Sequence, residues 1–264
     1  MAPGRGALTM QLALRGIHKA FPRENGGTLA VLRDVTLTVG TGEFCCVVGT
    51  SGCGKSTILN IVAGLTPPDS GQVLVDDAQV DSSRIRIGYV FQKPRLLNWK
   101  SVRDNVAFAL KASGVSAAEA RRRAQQYLDL VGLAQFEDEF PLSLSGGMQQ
   151  RVAIARALAI EPDLLLMDEP FSHLDELTAR ALRAELLRIW QQARKPVMFV
   201  THNALEAVYL ADQVLILSGR PATIMKTLRV ALPREREMED PRLLALQREI
   251  LETLGITGGS ALPH

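Results

Sequence analysis

Residues 49–56 read Gly49-Thr50-Ser51-Gly52-Cys53-Gly54-Lys55-Ser56. They match the pattern G-x-x-x-x-G-K-[ST], in which glycines let successive backbone N–H groups turn inward around phosphate oxygens. The pattern assigns Lys55 to the β- and γ-phosphates and the Ser56 hydroxyl to Mg²⁺. An apolar run over 44–48 precedes the loop, and an apolar helical run over 58–65 follows it. This strand–loop–helix context predicts a nucleotide-binding loop, and Thr57 is included among its binding residues.

A second segment carries two adjacent carboxylates. The apolar run 164–167 ends in Asp168 and Glu169. An apolar strand that ends in Asp places the carboxylate at the C-terminal edge of the sheet, beside the phosphate loop. We expect Asp168 to hold Mg²⁺ through its water shell and Glu169 to act as the general base for the attacking water. The alternative is an acidic strand exit that caps the next helix, and the phosphate loop upstream argues against it.

A third segment offers a second site for an anion. Ser145, Gly146 and Gly147 open a helix of apolar and small residues over 152–159. The N–H groups at such a helix start attract negative charge. One chain does not need two anion sites for one nucleotide, whereas a dimer needs both if each helix start covers the other chain's γ-phosphate. The alternative is a serine-capped helix with a glycine pair in the preceding turn.

The strand and helix patterns predict an α/β fold with a helical insert. Strands are predicted at 29–39, 44–48, 71–75 and 85–91. From Ser101 the period becomes helical, and Ser101 with Asp104 and Ser116 with Glu119 fit the capping-box pattern. After Pro162 the predicted strands 164–167, 197–201 and 214–217 alternate with helices 176–193 and 204–210. Such alternation indicates a largely parallel sheet.

The tail has a helix of its own. Asp240 supplies an N-cap and Pro241 a first-turn proline. Apolar residues then follow at helical spacing until Gly255, namely Leu243, Leu246, Ile250 and Leu254. A separate helical extension is therefore predicted at the end of the chain.

The composition is that of a soluble globular protein. The 264 residues are 47% hydrophobic and 22% charged. The formal net charge of +2 is too small to indicate a nucleic-acid groove, so no nucleic-acid partner is expected. The Arg-rich stretch 121–123 has Glu119 and Asp129 nearby, which favours a solvated helix face.

The sequence also bounds the protein's location. No apolar run approaches the ~20 residues that a membrane-spanning helix needs. Arg5, Gln11 and Arg15 interrupt the N-terminal region, which argues against a signal peptide. The three cysteines give no disulfide framework, because Cys45 and Cys46 point to opposite faces of a strand. We expect a reducing, cytosolic compartment, with any membrane span supplied by another chain.

These three segments together resemble the motifs of ABC ATPases. Residues 49–56 resemble Walker A, Asp168 and Glu169 resemble Walker B, and 144–151 resemble the signature motif. The similarity runs from about Gln11 to Val230. It implies a P-loop NTPase (RecA-like) core over 11–96 and 160–225, with an antiparallel β subdomain within it. An inserted α-helical subdomain would then cover 97–159, and a C-terminal extension 226–264, within a single domain spanning 1–264.

The resemblance implies roles for further residues. Phe21 is similar to the aromatic residue that stacks on adenine, although a Phe that ends a strand is equally compatible with a core position. Gln92 resembles the Q-loop glutamine that senses Mg²⁺ and the attacking water, and His202 the switch histidine that contacts the γ-phosphate. Asp175 belongs to a D-loop-like segment, 172–175, that would cross to the partner's phosphate loop. The family usually has a small residue where His173 stands.

These assignments give explicit sets of site residues. The catalytic residues are Glu169, His202, Lys55 and Gln92. The metal ligands are Ser56, Gln92 and Asp168. The nucleotide-binding residues are Phe21, 49–57, Ser145, Gly146, Gly147 and Asp175.

The implied cofactors are ATP and Mg²⁺, and the implied partners are a second copy of the chain and integral-membrane permease subunits. A substrate-binding protein would act indirectly, and the chain would lie at the cytoplasmic face of the inner membrane. Segments 95–99, 101–106, 232–234 and 240–241 resemble the nitrate/sulfonate/taurine branch of importers.

Alternatives from other classes are a stand-alone exporter subunit and a non-transport ABC ATPase. A chromosome-maintenance ATPase would carry a long coiled coil between Walker A and the signature. A translation-factor type would carry two cassettes, and a simple P-loop kinase would lack the signature.

Cys53 is unusual because it lies inside the phosphate loop. Lys55 and the following helix N-terminus are both positive and would favour its thiolate. We expect Cys53 to react with maleimides in the empty site and Mg-ATP to shield it.

Overall fold

A computed structural model describes residues 10–24, 26–79, 85–172 and 174–256. Arg5 and His173, which enter the expectations above, lie outside these ranges. The strands are β1 (Leu12–Pro22), β2 (Thr28–Val39), β3 (Phe44–Val48), β4 (Ser70–Val75), β5 (Ala78–Gln79), β6 (Ile87–Val90), β7 (Leu164–Asp168), β8 (Val197–Thr201), β9 (Gln213–Leu217) and β10 (Ile224–Arg229). The helices are α1 (Lys55–Val62), α2 (Val102–Ala112), α3 (Ala117–Leu130), α4 (Gly146–Ala159), α5 (Glu176–Ala193), α6 (Ala204–Leu210) and α7 (Pro241–Thr253).

The chain divides into two compact units, one formed by residues 1–80 with 196–264 and the other by residues 81–195. The first unit contains an antiparallel sheet in the order β2-β1-β4-β5. It also contains β10, β9, β3 and β8 in that order, with β3 parallel to both of its neighbours and β10 antiparallel to β9. All five residues of β3 are buried, which agrees with its continuous apolar run.

The second unit pairs β6 with β7 in parallel and carries most of the helices. Helices α2, α3 and α4 pack against one another. The Ser101 and Ser116 hydroxyls accept hydrogen bonds from the N–H groups of Asp104 and Glu119, at 3.2 and 3.4 Å. The predicted helix starts at these two serines are therefore confirmed.

Several predicted elements are confirmed and others differ. The predicted helices 176–193 and 204–210 and the strand 197–201 match α5, α6 and β8 at both ends. The helix predicted at 58–65 in fact begins at Lys55 and ends at Val62, because the phosphate loop starts it before the apolar period begins. β10 was not predicted. It crosses residue 226, where the C-terminal extension was predicted to begin.

The Arg-rich stretch is only partly a solvated face. Arg121 and Arg122 are exposed as predicted, and Arg122 pairs with Glu119 at 2.6 Å. The expectation is wrong for Arg123, which is half-buried and donates to the Ala159 carbonyl at 2.9 Å. Consecutive side chains of a helix point about 100° apart, so Arg123 faces α4 while Arg121 and Arg122 face solvent.

No helix in the described ranges is long and apolar enough to cross a membrane.

The tail is part of the first unit, where α7 packs on α6 and buries Leu243 and Ile250. Asp240 caps α7 by accepting from the Arg242 N–H at 2.8 Å, as predicted.

A buried arginine fastens this extension to α6. The Arg236 guanidinium donates to carbonyls at the end of α6 and in the chain just before itself: Val208, Tyr209, Ala211, Val230, Leu232 and Pro233. Burial, followed by the charge of Arg234, lowers the pKa of Arg236 to about 10. The guanidinium therefore stays charged at neutral pH and satisfies the carbonyls that a helix end leaves without partners.

We predict that Arg236→Met, which keeps the apolar stem, lowers the free energy of unfolding by about 3 kcal/mol, because buried carbonyls lose their donor. Urea denaturation measures the difference. The matched control is Arg15→Met, which removes an exposed ion pair with Asp77 from the same unit. That change should cost less than about 0.5 kcal/mol. Equal effects of the two substitutions would contradict the assigned role of Arg236.

Candidate functional site

The phosphate loop joins β3 to α1 within the first unit. Gly54 has φ 129°, a conformation that side-chain-bearing residues rarely adopt, and a Cβ there would lie 2.9 Å from Leu32 Cδ2. At Gly49 a Cβ would lie 2.9 Å from Cys53 Sγ. The loop backbone therefore has a close-packed path that only glycine fits at these two positions. A glycine-rich loop of this kind can turn backbone N–H groups toward an anion.

The start of α1 is open to an anion. No side chain in the described part of the chain caps this helix, and its first turn carries no acidic residue. The buried Lys55 folds its Nζ back to donate to the carbonyls of Gly49 and Thr50, at 3.0 and 3.1 Å. Ser56 is exposed and Thr57 half-buried on the first turn. The uncapped N–H groups and the lysine suit a phosphate group.

His202 leaves the sheet beside the phosphate loop. β3 and β8 are parallel, and Val48 lies opposite Thr201, so Gly49 and His202 follow neighbouring strands at one edge. Asn203 fixes the turn that carries His202. Its N–H donates to Thr201 Oγ1 at 3.0 Å, and its Oδ1 accepts from the Glu206 N–H as the cap of α6, at 3.1 Å. Sequence reasoning missed Asn203, although an Asn just before a helix is a known cap signal.

Phe21 lies at the surface rather than in the core. It is the penultimate residue of β1 and is 37% exposed. Lys19 Nζ lies 5.3 Å from the centroid of its ring. A ring with exposed surface at a strand end is available for stacking on a flat ligand.

The two carboxylates occupy the end of β7 in the second unit. Every residue of β7 is buried, including Asp168. Glu169 follows with φ 45°, a left-handed conformation that costs a residue with a side chain about 1–3 kcal/mol. The Ser172 N–H and Oγ stabilise this turn by donating to the Glu169 carbonyl at 3.2 and 2.9 Å. Strained residues of this kind are concentrated at functional sites.

Gln92 emerges at the same edge of its unit as Asp168. β6 is parallel to β7 with Val90 opposite Met167, so Gln92 and Asp168 lie close to the ends of adjacent strands. Burial, and then the charge of Asp168, raises the pKa of Tyr89 well above its ordinary value. Gln92 itself is exposed at the start of a loop.

The proposed metal ligands have the right chemistry for Mg²⁺. The Ser56 hydroxyl, the Gln92 carboxamide and the Asp168 carboxylate offer oxygen atoms, which hard cations prefer. No cluster of three or more His, Cys, Asp or Glu side chains suited to a metal exists among the described residues. Mg²⁺ usually binds one or two protein groups together with waters and substrate phosphates, so these residues fit it without such a cluster.

Ser145 starts α4 at the surface. Its Oγ accepts from the Met148 N–H at 3.3 Å, so the alternative interpretation as a helix cap is correct as a local description. A Cβ at Gly146 would meet nothing within 4 Å. Gly146 is therefore exposed, with open space beside its Cα.

Asp175 also has a structural task. Its Oδ1 accepts from the Thr178 N–H at 2.9 Å and caps α5. This hydrogen bond holds the pKa of Asp175 below its ordinary value. Any contact with a partner chain would have to be made alongside this cap.

Comparisons with known proteins agree with these motifs. The family model for ABC transporters matches residues 32–172. The nitrate import ATP-binding protein NrtD of Synechococcus elongatus is 46% identical over 245 residues, which cover 90% of this chain and 89% of that protein. The taurine import ATP-binding protein TauB of Jannaschia sp. is 38% identical over 265 residues, covering 95% of this chain and 99% of that protein.

A solved structure shares the fold. It is the dimeric post-hydrolysis state of the ATP-binding cassette MJ0796 bound to ADP and Pi, with a TM-score of 0.77 and 31% identity. The match covers 84% of this chain and 100% of that one. The predicted fold class, an α/β P-loop NTPase, is confirmed by this likeness.

The expectation that Cys53 is a reactive thiolate is wrong. Cys53 is only 2% exposed. Burial is the largest influence and raises the pKa of its thiol, and the positive charges of Lys55 and Arg220 do not reverse it. Sequence reasoning counted the charges correctly but missed that the Sγ packs beneath Gly49.

We predict that Cys53 reacts with a maleimide more slowly than free cysteine at neutral pH, because a raised pKa leaves less thiolate. The rate should keep increasing as the pH passes the ordinary thiol pKa. Mass spectrometry of the alkylated peptide gives the rate. The matched control carries Cys53→Ser with Ser51→Cys, which places a thiol at an exposed position of the same loop. Labelling of Cys53 as fast as the control would show that burial does not govern its reactivity.

Proposed function

The chain belongs to the ABC transporter family, and from that premise we propose that it powers an importer of a small oxyanion or organic sulfonate. Candidate cargoes are nitrate, aliphatic sulfonates and taurine. The observation that carries this proposal is the identity of 46% and 38% with nitrate and taurine import proteins over 90% and 95% of the chain. The same similarity favours an importer over the exporter subunit and the non-transport ATPase.

The chain binds and hydrolyses ATP as an ABC ATPase. In our assignment, residues 49–57 hold the phosphates, with Lys55 neutralising the β- and γ-oxygens. Mg²⁺ would be held by Ser56, Gln92 and Asp168, and it would supply positive charge where negative charge develops on the phosphates. Glu169 takes the proton of the attacking water and His202 contacts the γ-phosphate. Phe21 stacks on adenine.

Two copies of the chain act together in this proposal. The solved cassette of the same fold is dimeric. At the start of α4, Ser145 and Gly146 are exposed and Gly147 is half-buried, and there is open space beside Gly146. We assign this helix start to the γ-phosphate bound by the other copy, and Asp175 to the neighbouring crossing point. Hydrolysis would remove the γ-phosphate and with it the contact to the other copy. The equilibrium between paired and separate chains would then shift toward separate chains, because ATP and ADP make different contacts across the pair.

The second unit offers a surface for the permease. Trp99 is 74% and Leu142 79% exposed, and Phe108 and Phe140 are also exposed. The Val102 N–H donates to the Glu139 carbonyl at 2.8 Å, which brings the two segments that carry these side chains together. Exposed apolar patches of this kind mark contact surfaces.

Buried Asn105 keeps the segment 97–101 in place by exchanging hydrogen bonds with Leu97 and donating to Lys100 and Ser101. We assign this apolar surface to membrane-embedded permease subunits. The chain would then lie at the cytoplasmic face of the inner membrane, and a substrate-binding protein would act on it only through the permease.

Stacking of Phe21 on adenine has a direct test. We predict that Phe21→Ala weakens ATP binding by about 1–3 kcal/mol, the range for loss of a base–aromatic stack. Hydrolysis at saturating ATP should stay near the parental rate, because the phosphates are held elsewhere. Titration of nucleotide affinity and steady-state kinetics give the two quantities. Unchanged affinity in a folded variant would refute the stacking assignment.

The general base and the shared site are tested together. We predict that Glu169→Gln cuts hydrolysis by roughly 10²–10⁴-fold, the usual contribution of such a group. ATP binding should persist, so that a nucleotide-bound dimer accumulates on size exclusion with ATP and Mg²⁺. Adding Ser145→Arg should abolish that dimer, because the bulky side chain blocks the partner's γ-phosphate.

The matched control for Ser145→Arg is Ser116→Arg in the same background. Ser116 also caps a helix but has no place in the proposed site, so this variant measures the loss of a cap alone. The dimer should survive it. Parental hydrolysis by Glu169→Gln would show that the base is wrongly assigned. A dimer that resists Ser145→Arg would exclude α4 from the opposing half of the site.

A further inference from the structure

The loop that carries Gln92 is held on both sides by side chains of α4. Before Gln92, the buried Gln150 donates from Nε2 to the Phe91 carbonyl at 3.2 Å. After Gln92, Arg156 donates from Nη2 to the Pro94 carbonyl at 2.9 Å. Only Gln92 and Lys93 lie between these two attachment points. The backbone position of Gln92 therefore depends on α4.

Arg156 makes a two-pronged attachment. Besides Pro94, it donates from Nη1 to the next carbonyl, that of Arg95, at 3.0 Å. A planar guanidinium matches two successive carbonyls in a way that a single ammonium cannot. Burial lowers the pKa of Arg156, which reflects the cost of removing this cation from water. The hydrogen bonds to the Pro94 and Arg95 carbonyls compensate part of that cost.

The loop itself is arranged to meet this attachment. Arg95 adopts φ 46°, a left-handed conformation that costs free energy unless its surroundings enforce it. Its guanidinium lies 4.2 Å from the centroid of the Phe91 ring, which in turn stacks on Tyr89 with centroids 4.0 Å apart. The loop is thus closed across its base by stacked groups and fixed from outside by Arg156.

We propose that Arg156 and Gln150 are positioning residues that fasten the Gln92 loop to α4, so that Gln92 and the Ser145 helix start move as one body. The proposal rests on the function assigned above, in which Gln92 assists hydrolysis. Neither residue belongs to the nucleotide site assigned above. They act by holding the glutamine where its carboxamide serves the reaction, in the way that outer partners orient a metal ligand.

A purely structural arginine and a positioning arginine differ in a measurable way. Loss of a structural contact would lower the free energy of unfolding, and it would slow hydrolysis equally with and without the Gln92 side chain. Loss of a positioning contact affects hydrolysis only through Gln92. The cost of removing Arg156 should therefore disappear when Gln92 is already absent, which a double-mutant cycle measures.

The test compares Arg156→Met, Gln92→Ala and the double variant in the purified full-length chain. We expect Arg156→Met to lower kcat about 10- to 100-fold, the range seen when partners that orient a ligand are removed. The Kd for ATP should stay within about twofold, since binding relies on the phosphate loop. On the Gln92→Ala background, Arg156→Met should change kcat by less than about twofold.

Three further variants sharpen the result. Arg156→Lys keeps the charge but not the planar fork, and its kcat should lie between those of Arg156→Met and the parent. Gln150→Leu removes the single bond to Phe91 and should lower kcat by about threefold, as expected for one neutral hydrogen bond. The matched control is Arg123→Met, which removes an arginine–carbonyl bond to the far end of α4 without touching the loop. Its kcat should stay within about twofold of the parent.

Each outcome bears on the proposal. Parental kcat in Arg156→Met, or an equal loss with and without Gln92, overturns it. If Arg156→Met does not fold, Arg156→Lys and Gln150→Leu enter the same cycle under the same criteria. Failure of the parent chain to hydrolyse ATP would instead overturn the proposed function. If the parent hydrolyses ATP and Arg156→Met does so at the same rate, the proposed function stands and only the role of Arg156 is refuted.

Discussion

The N-terminus of α1 has no side-chain cap among the described residues, and our proposal places a bound phosphate there. Helices α2 to α7 each receive a side-chain cap, whereas α1 has none among the described residues. An uncapped helix start that is also partly buried costs free energy unless a ligand satisfies it. Gly54, which takes the cap position, cannot offer a side chain. The missing cap therefore supports the proposal that phosphate binds there.

The start of α4 follows a different rule. Ser145 already satisfies one of its N–H groups within a single chain. It can still attract an anion through the remaining N–H groups and the helix dipole. The start of α1, assigned to the phosphates of the same chain, has no side-chain cap, whereas the start of α4, assigned to the other copy, has one. This difference suits a contact that must form and break with each round of hydrolysis, because the Ser145 cap remains in place in the free state of α4.

The sequence predicted elements well where local signals and tertiary structure agree. α5 was predicted at both ends because Asp175 caps its start and a left-handed Arg194 ends it. The start of α1 was predicted three residues late because hydrophobic period alone begins at Ile58, whereas the phosphate loop sets the helix at Lys55. β10 was missed because a half-exposed edge strand with few buried residues has little apolar pattern. Cys53 was misjudged because charge can be counted along the chain and burial cannot.

The positions of candidate site residues were predictable because each follows a strand or opens a helix, and those boundaries carry local signals. The side chains that hold these residues carry none. Asn105 and Arg236 are buried and Arg156 is half-buried, and each binds backbone carbonyls of a loop or helix end that is distant or irregular. A buried polar side chain is tolerated only when its hydrogen bonds are made, so its presence implies a backbone segment fixed around it.

Polar residues on the apolar face of a helix therefore indicate where a chain holds a neighbouring segment in place. In the second unit, Arg156 holds Pro94 and Asn105 holds Leu97, both inside the segment that runs from Gln92 to Trp99. Its ends are a proposed nucleotide sensor and a proposed permease contact. A segment held at these internal points can pass a displacement of one end to the other, whereas a flexible segment would absorb it.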